Sequence, residues 1–351
     1  MTVPTGRAIG AFARLDRLAA GRDMPISAMI QITERCNFRC RHCYQVHPPR
    51  EEISTAGWVR IVRSLAGSGI LFLTFSGGEP LVRRDLVDIA GEARRLGFAL
   101  KLKTNGWLLD RGIADALRRL AFLEVHFSLY SARPRVHDHV TGTPGSFARA
   151  MRAGRMLARR GVGVVMNTPL MNLNCGEVDD LIALSERHGF GWSMDPHLNV
   201  CEDGGCSPAA LRMDERQMRA VLGHPRLVDR RALLKAARRR RIEDRVCNAG
   251  RTSCVISPTG DVLVCPMIQA PLGNLAKADL AGIWKGSEAR RRIESTSWAS
   301  LHGCRDCDLV PYCVRCHGAA LFEDGDMMGP SRLACQAARV RRDALLSRRV
   351  R

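Results

Sequence analysis

Aromatic residues are scarce in this chain: three Tyr, five Trp and ten Phe among 351 positions. So few rings argue against base stacking, the device by which proteins grip unpaired nucleic acid. No apolar run approaches the roughly 18 residues needed to cross a bilayer. The opening stretch, MTVPTGRAIGAFARL, lacks the continuous apolar segment of a secretion signal. Acidic residues are also short, 35 against 54 Lys and Arg, for a formal charge of +19. Apolar residues reach 46%, enough for a sizeable core, which excludes a wholly disordered chain. The abundant residue is cysteine, with 14. In a small secreted chain that count would mean disulfides; here the length favours two domains. The expectation is a reduced, cytoplasmic protein whose thiols bind metal or do redox chemistry.

The cysteines are bunched. Cys36, Cys40 and Cys43 form one group, Cys175, Cys201 and Cys206 are scattered, and eight more lie between Cys247 and Cys335. Residues 1–25, with Arg7, Arg14, Arg17 and Arg22, read as an N-terminal arm. From 26 to 200 strand and helix patterns alternate. Strands are expected at 26–33, 71–76, 99–104, 123–130, 162–170 and 191–195. The intervening helices start at plausible caps: Ser54 or Thr55, Asp110 and Ser146. Six βα repeats with short connections imply parallel strands and crossover helices. Six are too few for a closed eight-stranded barrel, so the fold class is α/β, a partial (β/α)6 TIM-like barrel. Its functional residues belong at the carboxyl ends of the strands. Residues 201–246, ending in four consecutive arginines, read as a bridge. Residues 247–351, rich in Gly, Pro and Cys with little helical periodicity, read as a small domain stabilised by metal ligation.

The run Cys36-x3-Cys40-x2-Cys43 directly follows the first strand. Three thiolates so spaced can hold three corners of a [4Fe–4S] cube and leave one iron open to a small molecule, as open catalytic zinc sites do. A zinc site completed by His42 or His47 is the plainer alternative. The second strand ends in Gly77-Gly78-Glu79-Pro80, 34 residues after Cys43. Two glycines let the backbone approach a ligand closely, and Glu79 then offers a carboxylate.

This pairing of CxxxCxxC with GGEP, each at a strand end, resembles the radical S-adenosylmethionine (SAM) superfamily. The resemblance implies that SAM chelates the open iron and that Glu79 meets its methionine ammonium. An electron from the cluster then cleaves the sulfonium, and the 5′-deoxyadenosyl radical abstracts a substrate hydrogen. The cofactor carries the hard chemistry and the protein orients it. The family holds SAM's carboxylate and ribose with polar groups at strand positions like those of Ser128 and Asn167, while Tyr44 is expected near the adenine. Asn105 in its TNG turn, and Lys101 and Lys103 as solvated edge residues, need no ligand role.

Cys304-x2-Cys307-x5-Cys313-x2-Cys316 taken alone suits a zinc ribbon. Preceded by Cys247-x12-Gly260-x4-Cys265 and followed by Cys335, it resembles the SPASM extension of radical SAM enzymes, although that pattern usually has x3 before its last Cys. The resemblance implies two auxiliary [4Fe–4S] clusters, one on Cys247, Cys254, Cys265 and Cys316, the other on Cys304, Cys307, Cys313 and Cys335. Gly260-Asp261 fits a hairpin turn that brings Cys254 and Cys265 together. Cys175 reads as a structural thiol, and Cys201 and Cys206 as loop thiols near the barrel mouth.

Members of this group mostly modify ribosomally made peptides or proteins by crosslinking, epimerisation or oxidation. Others act on haem precursors or other small molecules, and RNA-modifying radical SAM enzymes are often basic. A formylglycine-forming activity is disfavoured, because Pro266 stands where those maturases carry an Asp base. The roughly 25 residues before the first strand are too few for an attached leader-binding domain, so a separate leader-binding protein is one expected partner. Three clusters offset only about five of the positive charges. An acidic partner is therefore expected: a peptide leader, a carboxylated substrate, or a flavodoxin or ferredoxin reductant steered by charge. Neither a membrane nor a nucleic acid is expected.

Overall fold

The computed structural model describes residues 6–46, 51–205 and 207–347; His47 and Cys206, weighed above, lie outside the described residues. The six expected strands are present: β1 (Ser27–Gln31), β2 (Phe72–Ser76), β3 (Ala99–Thr104), β4 (Glu124–Ser128), β5 (Gly163–Pro169) and β6 (Gly191–Asp195). They pair parallel in sequence order. The helices up to β6 are α1 (Gly6–Gly21), α2 (Thr55–Leu65), α3 (Leu86–Arg95), α4 (Arg111–Arg119), α5 (Pro134–Thr141), α6 (Ser146–Ala158) and α7 (Val178–Arg187).

The two-residue strand period divides this sheet into two chemistries. One face is apolar: Ile30, Leu73, Phe75, Leu100, Leu102, Val125 and Phe127 are fully buried against the helices. Each such side chain contributes about 1.5–3 kcal/mol. The other face holds Met29, Ser76, Lys103, His126, Ser128 and Asn167 around a cavity. Lys101 and Lys103 thus lie on the inner face of a central strand rather than at an edge, and Lys103 is exposed there as expected.

Local signals place most helix starts. Ser54 accepts from the Gly57 N–H at 3.2 Å and Asp110 from the Ile113 N–H at 2.8 Å. Ser146 does not cap α6. It is the first helical residue, with Gly145 before it, and its hydroxyl bonds Thr141 and Asp138. The reason is α5, a short helix not expected from the sequence, which starts at Pro134 and stops at left-handed Gly142.

The larger revision lies beyond the bridge, which forms α8 (Glu215–Leu222) and α9 (Arg230–Arg239). A hairpin follows, β7 (Ser253–Ile256) and β8 (Asp261–Leu263), then the short β9 (Gly273–Asn274). β7 pairs parallel with β1, so one sheet of nine strands runs β6-β5-β4-β3-β2-β1-β7-β8-β9. The C-terminal region is also more helical than its composition suggests, with α10 (Leu280–Gly286), α11 (Glu288–Ser295), α12 (His317–Asp324) and α13 (Arg332–Leu346). Cys254, Ile256, Val262, Ile283 and Trp284 share the barrel's main core. A second core, built on Trp298, Leu301, Val310, Ala334 and Ala338, surrounds Cys304 and Cys313.

Candidate functional site

The loop after β1 carries the first thiols to the carboxyl end of the sheet. Its path is fixed by the end of β2: Gly78 N–H donates to the Thr33 carbonyl and Glu79 N–H to the Arg35 carbonyl, both at 2.9 Å. A Cβ on Gly77 would sit 2.2 Å from the Thr33 oxygen, and one on Gly78 2.4 Å from the Arg35 oxygen. The two glycines are therefore required by this backbone crossing, in addition to any approach to a ligand. Pro80 opens a short 3-10 turn and is buried.

Glu79 is engaged within the fold. It is 0% exposed. Its carboxylate accepts from Leu81 N–H at 3.0 Å, the Thr104 hydroxyl at 2.7 Å and Asn105 N–H at 2.6 Å. Burial pushes its pKa up to about 7 against these three donors. Its charge also reaches the Cys36 sulfur, so Glu79 ties the end of β2 to the end of β3 beside the first thiols.

Cys36, Cys40 and Cys43 all line one cavity of about 410 Å³, together with Tyr44, Gly77, Gly78, Ser128 and Asn167. Burial pushes the Cys40 thiol up to about 12 and Cys43 to about 11, each helped by the neighbouring thiols. Backbone N–H groups oppose this, Phe38 N–H reaching the Cys36 sulfur at 3.4 Å. The His42 Nδ1 in the same wall is buried without a hydrogen-bond partner among the described residues. Three thiols around one cavity and an orphaned ring nitrogen fit a cluster with a bound small molecule.

One residue was missed. Tyr130, on the same strand face as Ser128, is buried, and its hydroxyl lies near Ser128 and the Cys40 thiol. The β4 alternation that singled out Ser128 also carries Tyr130. His42 packs edge-on against Tyr130, ring centroids 4.3 Å apart. Nearby, Asn105 donates to Asn37 at 2.8 Å, holding the cysteine loop against the turn after β3. The Cys201 sulfur donates to the Cys43 carbonyl at 3.6 Å, which puts it at the rim as expected. Cys175 packs against the main core.

The remaining thiols fall into two groups. Cys265 interacts with Cys316 and Cys247. Their sulfurs receive backbone N–H groups: Ala249 at 3.4 Å to Cys247, Ala319 at 3.5 Å to Cys316, and Met267 to Cys265. Cys316 thereby caps the N-terminus of α12. Cys304, Cys307, Cys313 and Cys335 interact among themselves. Cys254 joins neither group. It lies on β7 inside the main apolar core, 2% exposed, and burial alone pushes its thiol up to about 12. The hairpin forms as expected, and strand alternation turns Cys254 toward the core.

The cavities also locate the trio. Pro266, next to Cys265, lines the main cavity. The Tyr44 hydroxyl feels both Cys43 and Cys265, so Tyr44 stands between the first thiols and the trio. A second cavity, of about 360 Å³, opens between the loop after Cys43, the bridge and the β7–β8 hairpin. Glu202, Asp203 and Asp261 line it, so the chain's positive charge does not extend to every surface near the site.

The family model of the radical SAM superfamily matches residues 30–184, and that of the SPASM iron–sulfur cluster-binding domain matches 247–308. PqqA peptide cyclase of Xanthomonas campestris pv. campestris (strain 8004) is 28% identical over 327 residues, 87% of this chain and 86% of that protein. In structure, Streptococcus suis SuiB bound to its precursor peptide SuiA has a TM-score of 0.70 at 17% identity, covering 93% of this chain and 80% of that one. The protein anSMEcpe with bound AdoMet has a TM-score of 0.71 at 15% identity, covering 91% and 96%. At such identities the structural matches speak to the fold. The two family models fall on the two cysteine-bearing regions, and the chain belongs to the radical SAM superfamily: it is an enzyme with a SPASM domain, using SAM, a [4Fe–4S] cluster and auxiliary iron–sulfur clusters.

Proposed function

We propose that this enzyme modifies a ribosomally made peptide or protein, by crosslinking, epimerisation or oxidation. The observation that carries the reading is one wall: Cys36, Cys40 and Cys43 face the same cavity as Ser128, Asn167 and Pro266. The names of the relatives, a peptide cyclase and a protein bound to its precursor peptide, supply the substrate class.

When bound, the cluster and SAM supply one-electron cleavage of a sulfonium and a radical that removes a hydrogen from substrate. The chain's residues hold and shield that chemistry. Cys36, Cys40 and Cys43 hold the first cluster, and the crossing at Gly77-Gly78 sets their loop. Tyr130 braces Cys40, while Ser128 and Asn167 offer polar groups to SAM and Tyr44 closes the side toward Cys265. Cys247, Cys265 and Cys316 hold one auxiliary cluster with a ligand position left for a non-cysteine group. Cys304, Cys307, Cys313 and Cys335 hold the other. Among the described residues, no three His, Cys, Asp or Glu side chains converge tightly enough for a single metal ion.

Pro266 at the cavity wall offers no base where formylglycine-forming maturases carry one, which favours other peptide modifications. An acidic flavodoxin or ferredoxin is the reductant that the net charge suits, and the cytoplasm is the compartment that fits reduced thiols. The test is to incubate reconstituted enzyme, SAM and reductant with peptides encoded beside its gene. The expected result is a peptide mass change that requires SAM. SAM cleavage stimulated by tRNA, with no peptide changed, would overturn the reading.

A further inference from the structure

The C-terminal region buries a cation that no carboxylate accompanies. Arg315 lies between Cys313 and Cys316 in sequence and is 4% exposed. Its guanidinium is anchored on three sides. Nε donates to the Gly329 carbonyl at 3.0 Å. Nη2 donates to the same oxygen and, at 2.8 Å, to the Met327 carbonyl. Nη1 meets His317 Nδ1 at 2.9 Å. A guanidinium only donates, so Nδ1 accepts and the imidazole is neutral. None of these partners is charged, and Arg315 makes no ion pair among the described residues. The one carboxylate whose charge reaches it, Asp326, is itself engaged by His302 and by the Met328 N–H.

The segment that anchors Arg315 runs between the two groups of thiols. Met327 packs against the same small core as Cys247 and Cys265. The next residue, Met328, packs against the core that holds Cys304 and Cys313. Held by the carbonyls of Met327 and Gly329, Arg315 is fixed where the trio adjoins the quartet of Cys304, Cys307, Cys313 and Cys335. Burial works against its charge, while Cys304 and Cys313 of the quartet and Cys316 of the trio favour it. A buried cation is costly unless an anion accompanies it. Three thiolates on a [4Fe–4S] cube leave a charge of about −1 and four about −2, and an added electron makes either more negative. We propose that Arg315 is the counter-charge shared by the two auxiliary clusters and that it raises the reduction potential of both. This rests on the assignment of the trio and the quartet to two clusters. A fixed positive charge favours the reduced form, which carries one more negative charge than the oxidised form. The step affected is the gain of one electron by a cluster, and Arg315 keeps its proton throughout.

The experiment uses the full chain with Cys36, Cys40 and Cys43 replaced by Ala, reconstituted so that only the auxiliary clusters remain. Arg315→Lys and Arg315→Gln are compared with this parent. Lysine keeps the charge without the fork, and glutamine keeps a donor without the charge. Iron is counted, and each chain is titrated with dithionite in the presence of redox mediators and read by electron paramagnetic resonance. The proposal predicts about eight iron in all three chains. In Arg315→Gln reduction of both clusters becomes at least about tenfold less favourable, a shift of about 59 mV to more negative potential for one electron. Arg315→Lys stays near the parent. Iron lost from Arg315→Gln but kept, with its potentials, in Arg315→Lys supports the counter-charge as well. A role confined to anchoring residues 327–329 predicts unshifted potentials in Arg315→Gln, and that result overturns the proposal. So does a shift in only one cluster, or iron lost from Arg315→Lys. A parent without about eight iron overturns the cluster assignment and the proposal with it, whereas eight iron with unshifted potentials overturns the proposal alone.

Discussion

Replacing Glu79 by Gln separates two roles for this residue, a latch between strands and a ligand for an ammonium. The carboxylate takes three donors within the fold: Leu81 N–H and the Thr104 hydroxyl on Oε1, Asn105 N–H on Oε2. A Gln oxygen can replace Oε1, but its NH2 then opposes the Asn105 N–H. That mismatch costs about 1–3 kcal/mol. Against it stands the relief of a buried charge. The folded carboxyl titrates at about 7 against an ordinary 4.5. The native state therefore keeps a proton that the unfolded chain has released, and wild type loses stability as pH rises from about 4.5 through 7. The full window is worth about 3 kcal/mol, and the part between pH 6 and 7.5 about 1 kcal/mol. Glu79→Gln has no such titration. It is expected to be clearly less stable than wild type at pH 6 and to recover about 1 kcal/mol of the difference by pH 7.5. Anaerobic urea denaturation at the two pH values measures this. Unchanged stability at both, with SAM affinity reduced tenfold or more, would refute the latch and restore the ammonium contact.

Two further substitutions test the thiol partition and the backbone crossing. Cys254→Ala is expected to leave iron per chain at the wild-type value, whereas Cys265→Ala loses about four iron; iron loss in Cys254→Ala would return that thiol to the ligand set. Gly78→Ala, whose Cβ would meet the Arg35 oxygen at 2.4 Å, is expected to lose at least about 2 kcal/mol of stability and part of its iron. Wild-type denaturation and iron content in that variant would contradict the crossing.

Much of the barrel was legible because strand alternation and helix caps are local signals. Phe75 and Leu102 bury themselves every second residue, and Asp110 caps its helix wherever the helix goes. The cysteine and GGEP motifs carried the site for the same reason. What escaped depends on long-range pairing. Lys103 looked like an edge residue because a strand's pattern does not say which of its faces closes on a cavity; it is exposed, but to that cavity. The core position of Cys254 escaped because the hairpin was legible while the pairing of β7 with β1, which turns that residue into the core, was not. The latch at Glu79 escaped because nothing near it in sequence announces Thr104 and Asn105, which bond it from the next strand.

The central claim is that Cys36, Cys40 and Cys43 hold the cluster that cleaves SAM. Quantifying 5′-deoxyadenosine after anaerobic reduction of the reconstituted protein with SAM, beside a variant with all three replaced by Ala, tests it most directly. The account predicts formation by the wild-type enzyme and none above background in the variant. Persistent reductive cleavage in the variant would contradict it.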